Sequence, residues 1–250
     1  MKILVLGGIA ESKVIARQLI DQGHEVIYSI VGLVRQPDID CEVHLGGFSN
    51  PQQTGAEGLG SYCKKRAIDL LVDATHPYAQ TISANAVAAA ELAGIECWRY
   101  LRPGWQANYG ENWHDFKGWD ELIPRIAEFA HPLFTTGASI VAQLDQRPPG
   151  QQWIIRSAME IPDMDGLVAI KAIGPFTYED ELALMRQYNV DVLISKNSGG
   201  HRLADKLRVA DDLNIPVFML RRPELATANQ SFDRVKGLLA DIAKINTPGN

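Results

Sequence analysis

The sequence predicts an α/β protein built on parallel sheets, and three observations carry that prediction. Short runs rich in valine, isoleucine and leucine recur along the 250 residues. Several are separated by segments of helical periodicity, and glycines or small polar residues sit where an apolar run hands over to a helix. Continuous apolar strands alternating with amphipathic helices are the pattern of a parallel sheet covered by helices on its faces.

The runs at Ile3 to Leu6, Glu25 to Ile30, Leu70 to Val72 and Gly94 to Trp98 are expected as the strands of a first domain. Those at Leu133 to Phe134, Trp153 to Ile155, Leu167 to Ile173, Val190 to Ile194 and Pro216 to Leu220 are the strands of a second. Helical periodicity marks Glu11 to Gln22, Thr81 to Ala93, Tyr178 to Gln187 and His201 to Leu213. Between the two sets, RPGWQANYGENWHDFKGW (102–119) has glycines and aromatics but no long apolar run, and reads as a linker. The expected domains are 1–102 and 103–250.

Composition removes several classes of function. With 46% apolar and 22% charged residues the chain can bury a sizeable core, and a formal net charge of −6 argues against a nucleic-acid partner. The opening MKILVLGG is too short to span a membrane and lacks a secretory cleavage site, so a cytoplasmic protein is expected. Cys41, Cys63 and Cys97 are odd in number and far apart. They predict neither a disulfide framework nor a metal site.

In an open parallel sheet, ligands bind outside the carboxyl ends of the strands, so the turns there carry the functional expectations. After the first strand come Gly7 and Gly8, which suit close approach of a phosphate to a helix N-terminus, or a tight packing turn. The second strand ends in Tyr28-Ser29 rather than in the acidic residue that grips a ribose diol, and Arg35 follows. That pairing favours NADPH, with NADH the alternative. Gly46 and Gly47 follow a short third strand. In LLVDATHPYAQ, Asp73, Thr75 and His76 stand at the lip of a strand, facing a cofactor or else capping the next helix. In the second half, Thr135, Thr136 and Gly137 form one such turn. Lys196, Asn197, Ser198, Gly199 and Gly200 form another, suited to cradling an anion. Arg99, Arg102, Lys171, Lys196, His201, Arg202, Arg221 and Arg222 lie at or just beyond predicted strand ends, a placement that would draw in a polyanionic ligand.

Taken in order, GGIAES, SIVG, GGF, VDATHPYAQTISANA, RYLRPGW, FTTG, IGPF, KNSGG and MLRRP resemble the precorrin-6A reductases and their cobalt-precorrin relatives, from Ile3 to about Pro223. The resemblance implies two Rossmann-like domains with the active site in the cleft between them. It also implies reduction, by a reduced nicotinamide nucleotide, of a macrocycle double bond in cobalamin biosynthesis. It carries nucleotide contacts onto Gly7, Gly8, Ser29 and Gly32. Many members have an arginine directly after that last glycine, where this chain has Leu33. Arg102, Lys171, Lys196 and Arg222 are expected to hold substrate carboxylates, with Thr135 to Gly137 and Asn197 to Gly200 beside them. His76 and Lys196 are the catalytic candidates, His76 as a proton donor or polarising group. A monomer or weak homo-oligomer is expected. A nucleotide sensor, or a methyltransferase acting on tetrapyrroles, would share parts of this pattern.

Overall fold

The computed structural model describes residues 1–31, 38–106, 112–200 and 204–245. The chain divides into two compact units, one of Met1–Pro103 with Pro223–Asn250, the other of Gly104–Arg222. Among the described residues no helix is long and apolar enough to cross a membrane.

The first unit contains β1 (Lys2–Leu6), α1 (Ala10–Asp21), β2 (Glu25–Ile30), β3 (Glu42–Leu45), α2 (Gly55–Lys65), β4 (Leu70–Asp73), α3 (Gln80–Ala93) and β5 (Glu96–Tyr100). From the far end of the chain it adds β12 (Gln230–Phe232) and α7 (Val235–Ile245). Its strands are ordered β3-β2-β1-β4-β5-β12, every neighbouring pair parallel. Alternate residues of each strand feed opposite faces. Ile3, Val5, Val26, Tyr28 and Val72 pack under Ile15 and Leu19 of α1 and Leu238 and Ile242 of α7. Leu4, Leu6, Ile27 and Leu71 pack under Leu59 of α2 and Ala86 and Ala89 of α3. Cys63 and Cys97 belong to that second layer, where burial pushes their thiols up to about 11 and about 12. They are packing residues.

The second unit contains β6 (Trp113–Phe116), α4 (Trp119–Arg125), β7 (Pro132–Phe134), a 3-10 helix (Gly137–Gln146), β8 (Trp153–Ser157), β9 (Leu167–Lys171), α5 (Tyr178–Gln187), β10 (Val192–Lys196), α6 (Asp205–Asp212) and β11 (Val217–Leu220). Its strand order is β9-β8-β7-β10-β11-β6, again all parallel. Read outward from the central strand, both units have the 3-2-1-4-5-6 order of the dinucleotide-binding fold. Only the sixth position differs in origin. In the second unit it is filled by β6, which precedes that unit's other strands, and in the first by β12, which follows everything else.

Two expectations change here. The stretch expected as a linker contains β6, whose WHDF pairs with β11 from Trp113 opposite Val217 to Phe116 opposite Leu220. The stretch from Pro223 onward, expected in the second domain, belongs with the first, because Gln230, Ser231 and Phe232 pair with Trp98, Arg99 and Tyr100 of β5. Some bounds also move. Gly94 ends α3 in a left-handed conformation, φ 71°, so β5 begins at Glu96 rather than at the glycine.

Candidate functional site

Each sheet has one place where the connections run off in opposite directions, between its first and fourth strands, and ligands favour that crevice. In the first unit it lies between β1 and β4, and in the second between β7 and β10. Most of the residues expected from the sequence stand on the turns that follow these four strands.

In the first unit, Gly7 and Gly8 make the turn after β1. The Gly7 amide donates to the Ser29 carbonyl at 2.8 Å. A methyl group on Gly7 would lie 2.2 Å from the Tyr28 hydroxyl oxygen, which explains the glycine by packing. That hydroxyl is buried and hydrogen-bonded to Ser12 at 2.7 Å, and burial raises its pKa. A methyl group on Gly8 would meet the backbone of Thr75 and His76 at 3.4–3.5 Å, so the turns after β1 and β4 touch. Helix α1 starts at once, with Ile9 as N-cap and no side chain capping its amides. Ser29 is buried at the tip of β2. Gly46, at φ 107°, and Gly47 make an open turn after β3. Gly32 and Arg35 lie outside the described residues.

The turn after β4 is tied inward. Asp73 is 1% exposed and both its oxygens are engaged. Oδ1 accepts from the Thr75 amide and hydroxyl at 3.2 and 2.7 Å, and Oδ2 accepts from Nε of buried Arg99 at 2.9 Å. Arg99 also donates to the carbonyls of Ala226 and Ser83, fastening the C-terminal stretch and α3 to the sheet. Thr75 shares a 3.3 Å hydrogen bond with Ser83. Asp73 and Thr75 therefore shape the turn rather than offering groups at its surface. His76, half-buried, accepts the Tyr78 amide at Nδ1, 3.3 Å away, which leaves the proton of its neutral ring on Nε2. Arg102 is buried and paired with Glu11 of α1 at 3.2 Å.

In the second unit Thr135 follows β7. Its amide and hydroxyl donate to the Ile194 carbonyl at 2.8 and 3.1 Å, and its oxygen accepts from Lys206 at 3.2 Å. Thr136 is buried with no partner for its hydroxyl among the described residues, and Gly137, at φ 71°, opens the 3-10 helix. On the neighbouring strand Lys196 is half-buried, and burial lowers its pKa. Asn197 grips the backbone of Trp105, accepting its amide at 2.7 Å and donating to its carbonyl at 3.0 Å. The Trp105 indole donates to the Gly200 carbonyl at 3.1 Å. Gly199 and Gly200, at φ 71° and 87°, turn in the left-handed region that favours glycine. Arg222 donates to the carbonyls of Asn197 and Ser198, bracing the same loop.

The expected concentration of cations at the sheet edges is largely neutralised within the fold. Arg99 pairs with Asp73, Arg102 with Glu11, Lys171 with Glu160 and Arg221 with Asp115. Lys171 is moreover well exposed on edge strand β9, three strands from β10, about 14 Å at the usual spacing. His201 and Arg202 lie outside the described residues. One cation absent from the sequence-based expectation is Lys206, 8% exposed beneath this turn. Its signal is positional, since it shares a helix face with Val209 and Ala210.

Two parallel sheets of 3-2-1-4-5-6 order, with glycine turns at their switch points, define a Rossmann-type α/β protein. Within that class, residues 2–243 match the family described as precorrin-6x reductase CbiJ/CobK. The chain is 38% identical over 248 residues to the precorrin-6A reductase of Rhodococcus erythropolis, covering 96% of each chain. It is 32% identical over 241 residues to that of Mycobacterium tuberculosis, covering 94% of each. A solved structure described as CobK precorrin-6A reductase superposes with a TM-score of 0.85 at 27% identity, covering 99% of this chain and 98% of that one. The chain belongs to the precorrin-6x reductase family. It is an oxidoreductase of cobalamin biosynthesis, and the sensor and methyltransferase readings are not favoured.

Proposed function

We propose that the protein reduces a double bond of precorrin-6A, a tetrapyrrole with many carboxylate arms, using NADPH. The observation that carries the nucleotide half of this reading is the β1 turn. A glycine pair at the switch point leads directly into a 12-residue helix whose amides no side chain caps, an arrangement that suits a pyrophosphate. The residues present fit a dinucleotide, held by the backbone of Gly7 and Gly8 and the amides that open α1. NADPH is preferred because β2 ends in Ser29 and Ile30 with no carboxylate at its tip.

A bound nicotinamide supplies the hydride. The chain's own task is to hold the macrocycle in register and to place a proton beside the second carbon of the reduced bond. His76 suits that task, since its Nδ1 is occupied by the Tyr78 amide and its other nitrogen carries the proton. His76→Ala is expected to lower turnover roughly 10²-fold or more while nucleotide affinity, read by fluorescence titration with NADPH, stays within about twofold. Unchanged turnover would assign the proton to solvent.

The reading as a whole is tested by anaerobic assay with precorrin-6A and, separately, its cobalt form, following oxidation of NADPH and of NADH. Substrate-dependent oxidation favouring NADPH is expected. Oxidation with NADH alone would overturn the nucleotide assignment, and none with either substrate would overturn the reaction.

A further inference from the structure

We infer that Lys206 is a substrate-binding residue, a buried ammonium at the switch point of the second unit that receives one carboxylate arm of the macrocycle. The inference rests on the proposed polycarboxylate substrate and adds a site to it.

The argument is one of unbalanced charge. An ammonium group has three N–H donors. Among the described residues Nζ of Lys206 has a single acceptor, the Thr135 hydroxyl at 3.2 Å, and the ring of Trp105 with its centroid 5.4 Å away. The charged groups bearing on it from the packed elements are Arg156 of β8 and Glu181 of α5, and these hold each other through two hydrogen bonds of 2.9 and 2.8 Å. Arg156 is further covered by Phe176, its guanidinium 4.0 Å from that ring. Two buried cations thus share one buried carboxylate, and one positive charge has no counter-ion. Burial, aided by Arg156, pushes the Lys206 ammonium down to about 8.

A charge kept at such a cost, without an internal partner, marks a site whose partner arrives from outside. The location agrees. Lys206 lies in the first turn of α6, after the KNSGG loop, and touches Thr135 at the end of β7. The adjacent Thr136 hydroxyl is buried and unpartnered, a further donor for the same anion. Thr135 and Trp105, which flank the ammonium, are only half-buried and leave an approach from the sheet edge. This also gives a use to the Asn197 grip on Trp105, which holds the ring over Lys206.

Sequence and geometry set the test apart from a structural role. Lys206→Met removes a buried charge, so its urea midpoint is expected to equal or exceed that of the wild type. Its KM for precorrin-6A should rise roughly 10- to 100-fold, the loss of a charge-assisted hydrogen bond, with kcat little changed and NADPH affinity unaltered. In the wild type KM should climb above about pH 8 as the ammonium loses its proton. Lys206→Arg should restore most of the affinity and remove that limb. Lys196, whose pKa burial also lowers, remains in both variants, so a limb that persists in them belongs to Lys196 and overturns the assignment. An unchanged KM in Lys206→Met overturns it outright, whatever happens to stability. Failure of the wild type to oxidise NADPH with either form of the substrate strikes the reductase reading instead, and shows before any variant is made.

Discussion

Replacing Glu181 by alanine is expected to destabilise the second unit by about 3–5 kcal/mol. Glu181 is 3% exposed, and its two oxygens accept both terminal nitrogens of Arg156. Without it, Arg156 and Lys206 would face one another in the interior with no anion between them. Breaking a buried pair from one side is the expensive way to break it, because the remaining charge keeps its desolvation cost and loses its compensation. The measurement is urea unfolding of Glu181→Ala, Arg156→Met and the double variant. The double variant should recover much of the loss, since the stranded cation has gone. A loss below about 1 kcal/mol in Glu181→Ala, the range of exposed pairs, would show that water enters and screens this site.

The second large effect is expected at Asp73. Its carboxylate compensates buried Arg99 and accepts two hydrogen bonds from Thr75, so Asp73→Ala strands a guanidinium and two donors together. A loss of about 3–5 kcal/mol is expected for the ion pair, read as a shifted urea midpoint of the first unit. Function should follow structure here. Thr75 and His76 run against Gly8, so a loosened β4 turn also loosens the turn assigned to the pyrophosphate, and NADPH affinity should fall in parallel. Full retention of NADPH affinity alongside the stability loss would separate the two turns.

The sequence made the architecture legible where strands are long and apolar. Central strands such as LVL and LLV, buried on both faces, announce themselves by composition alone. The sixth strand of each sheet did not. WHDF and QSF are short, carry polar residues, and pair with one neighbour only, so their strand character comes from the sheet edge that they meet. The same limit applies at the site. Turn chemistry showed which loops matter, and the glycines and KNSGG stand at the switch points. It could not show which way a side chain faces. Asp73, Thr75, Thr135 and Asn197 all spend their hydrogen bonds inside the fold, while Lys206, on a helix that reads as polar, turns inward.

The origin of the sixth strands bears on how the chain matures during synthesis. Residues 104–222 are contiguous, so this half holds all its strands as soon as Arg222 has cleared the ribosome. The N-terminal half, although made first, lacks the partner of β5 until Gln230 to Phe232 follow. The usual order, in which the earlier domain folds ahead of the later one, is reversed in this topology: the half translated first is the last to close.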